Sequence, residues 1–170
     1  VVVGAGPAGL SAALTAAHTG ARVMIADEHS EPGGWLLNEQ QEIDDMPASE
    51  WVTNVIHQLS EMEHVIILPR TTVFGHYDHN FLGMIQQRGS NILDGKDKSR
   101  QRLWRVRAQQ VILATGAIER PLIFADNDRP GVMLASAVRA YANHYGVSAG
   151  KQISVFTNND DAYRTAIELS

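Results

Sequence analysis

Short, largely apolar runs recur along the chain at positions 1–3, 23–26, 65–68, 110–117 and 152–156. Runs this short, bounded by turn residues, predict strands buried on both faces, as in a parallel sheet. Between the first two lies an alanine-rich stretch, residues 10–19, that breaks at Gly20 and reads as a helix. Its small positions Ala12, Ala13, Ala16 and Ala17 suit close packing on a sheet. A second helix is expected over about residues 47–62: Trp51, Val55 and Leu59 repeat at helical spacing, and Ser49 can cap its start. From residue 71 to 109 the pattern alternates instead, at 72–75, 81–86 and 102–106, with a polar connection over 88–101. That alternation predicts three antiparallel strands, a β-meander inserted as the crossover between parallel strands. A loop follows at 126–131, then a helix over about 132–145.

The first run leads directly into Gly4-Ala5-Gly6-Pro7-Ala8-Gly9-Leu10, and the second ends in Asp27. A strand turning through G-x-G-x-x-G into a helix, with an acidic residue closing the next strand, is the dinucleotide-binding fingerprint in its structural context. Gly4 permits the sharp turn, Gly6 lets a pyrophosphate approach the backbone, and Gly9 lets the helix lie against the strand. Free N–H groups and the positive dipole end at the helix start then face the phosphates. Asp27, 18 positions after Gly9, is placed to accept hydrogen bonds from a ribose diol. The turn Glu31-Pro32-Gly33-Gly34 brings backbone near the cleft, and Ala114-Thr115-Gly116 lets the chain turn beneath a bound dinucleotide.

The expected architecture is α/β: a Rossmann-like FAD/NAD(P)-binding domain over 1–125, a parallel sheet with its β-meander crossover at about 71–109. Residues 126–170 would form a linker helix and the start of a second, degenerate Rossmann-like unit. There the strand at 152–156 leads into Thr157-Asn158-Asn159-Asp160-Asp161-Ala162, where Thr157, Asn159 and Ala162 stand in place of glycines. Asn159 and Asp160 put side chains and a negative charge where phosphates would lie, so the second site is expected to be unfit for a pyrophosphate. Residue 1 falls inside the first strand and residue 170 within a helical pattern only begun, so these residues are expected to be part of a longer polypeptide.

Composition narrows the function classes. The apolar share of 44% with 19% charged residues is that of an ordinary globular domain. A net charge of −5 argues against a nucleic-acid surface. No run approaches the roughly 20 apolar residues of a membrane span, no signal peptide is evident, and a cytoplasmic location is expected. The absence of cysteine removes disulfides, thiolate metal sites and the redox cysteine that disulfide reductases carry shortly after the glycine doublet. His76 and His79 flank Asp78, but an H-x-x-H on an extended segment lacks a third convergent ligand, and a surface role is preferred. The remaining histidines are assigned to surface or packing, and Trp51 and Trp104 to core or inter-strand packing. Arg120, Arg129 and Asp128 sit beside prolines in loops, where an arginine is expected to tie carbonyls together, the alternative being a subunit-interface or flavin-phosphate role for one of the three. No nucleophile–base pair stands out, so no catalytic residue is named.

Asp27 and Glu28 also bear on which dinucleotide is taken. At ~4 Å, one unit-charge pair repels by roughly 1–4 kcal/mol, enough to disfavour a ribose 2′-phosphate. NAD or FAD is therefore favoured over NADP, and the residues alone leave those two open.

Several less common strings, Gly116-Ala117-Ile118-Glu119-Arg120-Pro121-Leu122, Asn127-Asp128-Arg129-Pro130-Gly131-Val132-Met133 and Val155-Phe156-Thr157-Asn158-Asn159-Asp160, occur in order, with Phe74-Gly75-His76-Tyr77-Asp78-His79-Asn80 before them. Together they resemble the alpha subunit of heterotetrameric sarcosine oxidase, within the two-dinucleotide-binding flavoprotein superfamily. That resemblance implies NAD in this domain, with FAD and a covalently attached FMN depending on the beta subunit, and gamma and delta subunits as further partners. It implies that sarcosine is oxidised with oxygen to glycine and hydrogen peroxide, tetrahydrofolate taking the one-carbon unit in a separate domain. It implies also that Ala8 meets the pyrophosphate, that Asp27 and Glu28 meet the ribose, that Trp35 lies on the cofactor's flank, and that Val73 offers backbone hydrogen bonds to adenine. The expected cofactor-binding set is thus Gly4, Gly6, Pro7, Ala8, Gly9, Asp27, Glu28, Gly34, Trp35, Val73, Thr115 and Gly116. Two alternatives are an FAD-binding redox subunit of an opine- or cyanide-forming amine dehydrogenase, which looks similar in the same regions, and a structural docking domain with a vestigial pocket.

Overall fold

A computed structural model describes residues 1–89 and 100–170. The polar connection expected over 88–101 therefore falls mostly outside the described residues. β1 (Val2–Val3) enters α1 (Pro7–His18), which returns to β2 (Val23–Ala26). A 3₁₀ helix, Gly34–Asn38, precedes a small hairpin of β3 (Glu42–Ile43) and β4 (Met46–Pro47), then α2 (Ala48–Ser60) and β5 (Val65–Leu68). The meander comprises β6 (Thr71–Tyr77), β7 (Phe81–Gln87) and β8 (Gln101–Arg107), and β9 (Ile112–Leu113) returns to the first sheet. That sheet is parallel in the order β5-β2-β1-β9, Val2 pairing with Ile25 on one side and Ile112 on the other.

The sheet is the middle of three layers. Alternate residues along a strand point to opposite faces, and here each face has its own apolar cover. Val2, Val23 and Ile25 pack with Leu10, Ala13 and Ala17 of α1 and Val55 and Leu59 of α2. Ala26 and Leu68 pack instead with Leu82 and Met84 of β7, and Val3, Met24 and Trp104 border that second cluster. Within the meander, β6 pairs with β7 and β7 with β8, both antiparallel, with a bulge between Val73 and Gly75. Trp104 sits between strands as expected, its indole N–H donating to Gln86 Oε1 at 3.1 Å.

Four local expectations are corrected. Ser49 does not cap α2: the helix starts at Ala48, Pro47 holds the cap position, and no side chain caps it. The Ala48 N–H is instead satisfied by the Gln41 carbonyl at 2.8 Å, across the hairpin. Ser49→Ala is accordingly expected to shift the unfolding midpoint by less than ~0.5 kcal/mol, measurable by urea titration, where loss of a true cap costs about 1.

The strand expected at 110–117 is only two residues long and not buried, with Ile112 40% and Leu113 67% exposed. Its position at the sheet edge leaves it neighbours on one side only. The helix expected from 132 begins at Ala135, because the Glu119 carboxylate accepts from the Ala135 and Ser136 amides there. This helix, α3 (Ala135–Arg139), runs on through a π turn at Ala140–His144.

No strand forms over 152–156; all five residues are exposed. A strand needs a neighbour for its backbone groups, and no described element flanks this one. The turn beyond it leads into α4 (Asp161–Glu168), so of the expected second unit the turn and the helix form but the strand does not.

Candidate functional site

The glycine turn after β1 is held from three directions. Gly4 N–H donates to the Ala26 carbonyl at 2.8 Å, and the Ala5 carbonyl accepts from Gly33 N–H at 2.8 Å. Asp27 supplies the third: its Oδ2 accepts from Ala5 N–H at 2.6 Å, and its Oδ1 accepts from His29 N–H at 2.8 Å. The His29 ring Nδ1 lies 3.0 Å from the same Oδ1. The Asp27 carboxylate is mostly buried, while Glu28 beside it is exposed. His29, expected at the surface or in packing, is exposed, and its bond to Asp27 was not foreseen; its place two residues after Asp27 is the signal that could have found it.

Backbone approaches are too close here for side chains. Gly4 holds φ of +100°, and a Cβ on it would overlap the Ala114 carbonyl; one on Gly9 would overlap the Gly4 carbonyl. A Cβ on Gly34, whose φ is +57°, would stand 3.0 Å from the Gly6 Cα. The glycine turn thus has the 33–35 segment on one flank and the end of β9 on the other. Trp35 joins these flanks, its indole N–H donating to the Ala117 carbonyl at 3.2 Å, beside Gly116 at φ +71°.

This crevice opens at the N-terminus of α1, where Pro7 occupies the first helical turn and Gly6 the cap position. No side chain caps the turn and no acidic residue lies in it, so its amides and the positive end of the helix dipole face outward. Ala8 is exposed at that end and Gly9 buried against the sheet. The cradle fits an anion that needs backbone donors and closeness, as the pyrophosphate of a dinucleotide does.

Of the expected set, Gly4, Gly6, Pro7, Ala8, Gly9 and Asp27 converge at the turn, and Gly34, Trp35, Thr115 and Gly116 form its flanks. Val73 lies farther along β6, in register with Met84; that strand starts where the Thr71 N–H donates to the Asp27 carbonyl at 2.7 Å. Among the described residues, no group of three or more His, Asp or Glu side chains is placed to hold a metal ion. His76 Nε2 is 3.2 Å from Asn80 Oδ1. Arg129 forms an exposed pair with Asp126, and Arg120 is exposed. No helix among the described residues is long and apolar enough to cross a membrane.

At the start of α4 the donors are already taken. Asp161 N–H donates to Asn159 Oδ1 at 3.0 Å, and Asn159 N–H to Thr157 Oγ1 at 3.1 Å. The turn satisfies itself with its own side chains, which is the physical consequence of replacing its glycines.

Comparison with known proteins agrees with this geometry. The chain is 48% identical over its full length to the alpha subunit of sarcosine oxidase from Corynebacterium sp. (strain U-96), spanning 18% of that protein. It is 30% identical over 82% of its length to an opine oxidase subunit of Agrobacterium tumefaciens (strain Ach5), covering 28% of it. Among solved structures, L-proline dehydrogenase from P. horikoshii superposes with a TM-score of 0.68 at 27% identity, over 88% of this chain and 29% of the other. The chain thus spans about a fifth of the sarcosine oxidase subunit it resembles. Residues 1–155 match the model of the pyridine nucleotide-disulphide oxidoreductases, and the chain belongs to that family.

Proposed function

We propose that this chain is the NAD-binding part of the alpha subunit of a sarcosine oxidase complex, with residues 1–125 as the binding domain and 126–170 as linker helix and degenerate second unit. The observation that carries this reading is the 48% identity, across the whole chain, to the alpha subunit of a sarcosine oxidase. The glycine turn adds the class of ligand: backbone packs too closely at Gly4 and Gly34 for any side chain, and the start of α1 beside them carries no side-chain cap and no acidic residue.

In this reading Gly4, Gly6, Ala8 and Gly9 hold the pyrophosphate, with Pro7 presetting the first helical turn. Asp27 and Glu28 take the ribose hydroxyls and Val73 the adenine edge, while Gly34, Trp35, Thr115 and Gly116 line the flank. Bound NAD would supply a hydride acceptor. This chain's own residues bind and orient; none of them is assigned a catalytic role.

The complex would act on a CH–NH donor, oxidising sarcosine with oxygen to glycine and hydrogen peroxide. Tetrahydrofolate, FAD and FMN would be handled outside these residues, by other domains and by beta, gamma and delta subunits, in the cytoplasm.

A second reading has one observation in its favour, the 30% identity to an opine oxidase subunit. Because FAD shares its ADP half with NAD, the same crevice suits an FAD-binding redox subunit of an opine- or cyanide-forming amine dehydrogenase. One experiment separates them: resolve the native complex into its subunits and identify by mass spectrometry the nucleotide released on denaturing the alpha chain. NAD assigned to the alpha chain is the expected result. FAD in its place selects the second reading, and no nucleotide selects a structural docking domain with a vestigial pocket.

A further inference from the structure

The helix over residues 135–144 contributes nothing to the crevice, yet it is bonded to both flanks of it. At its start, Glu119 accepts from the Ser136 amide at 2.8 Å and the Ala135 amide at 3.3 Å. Glu119 stands three residues after Gly116, on the segment that leaves the β9 flank. At its end, Asn143 Nδ2 donates to the Asn38 carbonyl at 2.9 Å and to Glu168 Oε2 at 3.0 Å, and Asn143 Oδ1 accepts from Gln40 at 3.2 Å. Asn38 closes the 3₁₀ turn that begins at Gly34.

Between these ends sits Arg139, whose side chain is only 4% exposed. Its guanidinium forks onto Asp161 with contacts of 3.2 and 2.8 Å, and lies 3.8 Å from Glu39. Removing a guanidinium from water is costly unless its partners are well placed, and a bidentate fork fixes orientation as well as charge. Here the arrangement is not even complete: Arg139 Nε and Thr165 Oγ1 are buried without partners among the described residues. A helix needed only for packing would do better with an apolar residue at 139. The indole bond from Trp35 to Ala117 closes the circuit on the far side.

The geometry points to residues 135–144 as a brace that sets the spacing of the two crevice flanks, with Arg139 and Asn143 as positioning residues. The degenerate second unit then has a use that does not require a nucleotide: α4 supplies Asp161 and Glu168, the carboxylates that hold the brace. This inference rests on the dinucleotide reading above for its consequence, retention of the bound nucleotide, but not for the mechanical link itself.

The test uses the full-length alpha subunit in its complex, with Asn143→Ala and, independently, Arg139→Lys, which keeps the charge and loses the fork. Release of bound nucleotide is followed by chase with excess ADP, and local opening by amide hydrogen exchange. Expected for both variants is release about tenfold faster, corresponding to ~1.4 kcal/mol. Exchange should quicken in peptides covering 33–39 and 115–119, with α1 and α2 unchanged. Should Arg139→Lys fail to fold, Asn143→Ala carries the test, since it removes a half-buried neutral amide and not a buried charge.

Unchanged exchange at both flanks would overturn the brace. So would a uniform rise across the chain, the mark of a merely structural role, or faster flank exchange with unaltered release. Faster flank exchange in a complex that holds no dinucleotide would instead sustain the brace and refute the nucleotide reading.

Discussion

Gly4→Ala is expected to destabilise the fold by about 3 kcal/mol or more and to abolish nucleotide retention, through two effects that add. At φ of +100° any L side chain is strained, typically by about 1–3 kcal/mol. The new Cβ would also stand 2.8 Å from the Ala114 carbonyl carbon and 3.3 Å from the Thr115 Cα. These are backbone atoms, unable to rotate away, and shifting them pulls on the bond from Ala114 N–H to the Val3 carbonyl, 2.8 Å long, that holds β9 to β1. Gly20→Ala provides the comparison: its φ is +80° but nothing lies within 4 Å. It should show the strain alone, about 1–3 kcal/mol, with nucleotide retained. Urea denaturation and nucleotide content measure both variants. Equal midpoints for the two would mean that the overlap with β9 does not matter.

Asp27→Ala is expected to weaken dinucleotide binding by roughly 10- to 100-fold, the scale of one or two hydrogen bonds to a charged acceptor. Its carboxylate has two tasks, which Asp27→Asn can separate. One is internal: an acceptor for the Ala5 amide that fixes the glycine turn. An asparagine carbonyl can continue to accept that bond while its NH2 group gives up the bond from His29 N–H, so the turn should stay in place with one bond fewer. The other is electrostatic exclusion of a 2′-phosphate, which the amide lacks. Asp27→Asn should therefore raise the affinity for NADP relative to NAD by about tenfold, consistent with ~1–4 kcal/mol of repulsion at 4 Å. Titration calorimetry with the two nucleotides decides it. An unaltered preference would show that Asp27 does not face the ribose.

The parts of the fold legible in sequence were those governed by local rules. The parallel strands at 23–26 and 65–68, α1 and the three strands of the meander follow from period and punctuation, and their observed bounds differ from expectation by a few residues. The glycine turn was legible for a related reason: Gly4 and Gly9 stand where only a residue without Cβ avoids neighbouring carbonyls. Failures occurred where a distant group decided the outcome. Ser49 resembled a cap by its neighbours, but the Gln41 carbonyl supplied the bond. The run at 152–156 was apolar enough for a strand, yet a strand exists only against a partner. Pattern at 132 suggested a helix start, and the Glu119 carboxylate, 16 residues upstream of the Ala135 it bonds, placed it at 135.

Local chemistry was enough to specify the strand–turn–helix with its outward-facing amides, the carboxylate at the end of the second strand, and the polar turn at 157–161 that leads into α4. Steric freedom at glycine and side-chain periodicity act over a few residues, so they can be read without coordinates. The folded layers were needed to show that Asp27 anchors Ala5 22 positions away, that Trp35 meets Ala117 82 positions away, and that Asn143 reaches Asn38 105 positions away. Those bonds depend on how whole elements pack, and packing is a property of the assembled layers rather than of any stretch of chain.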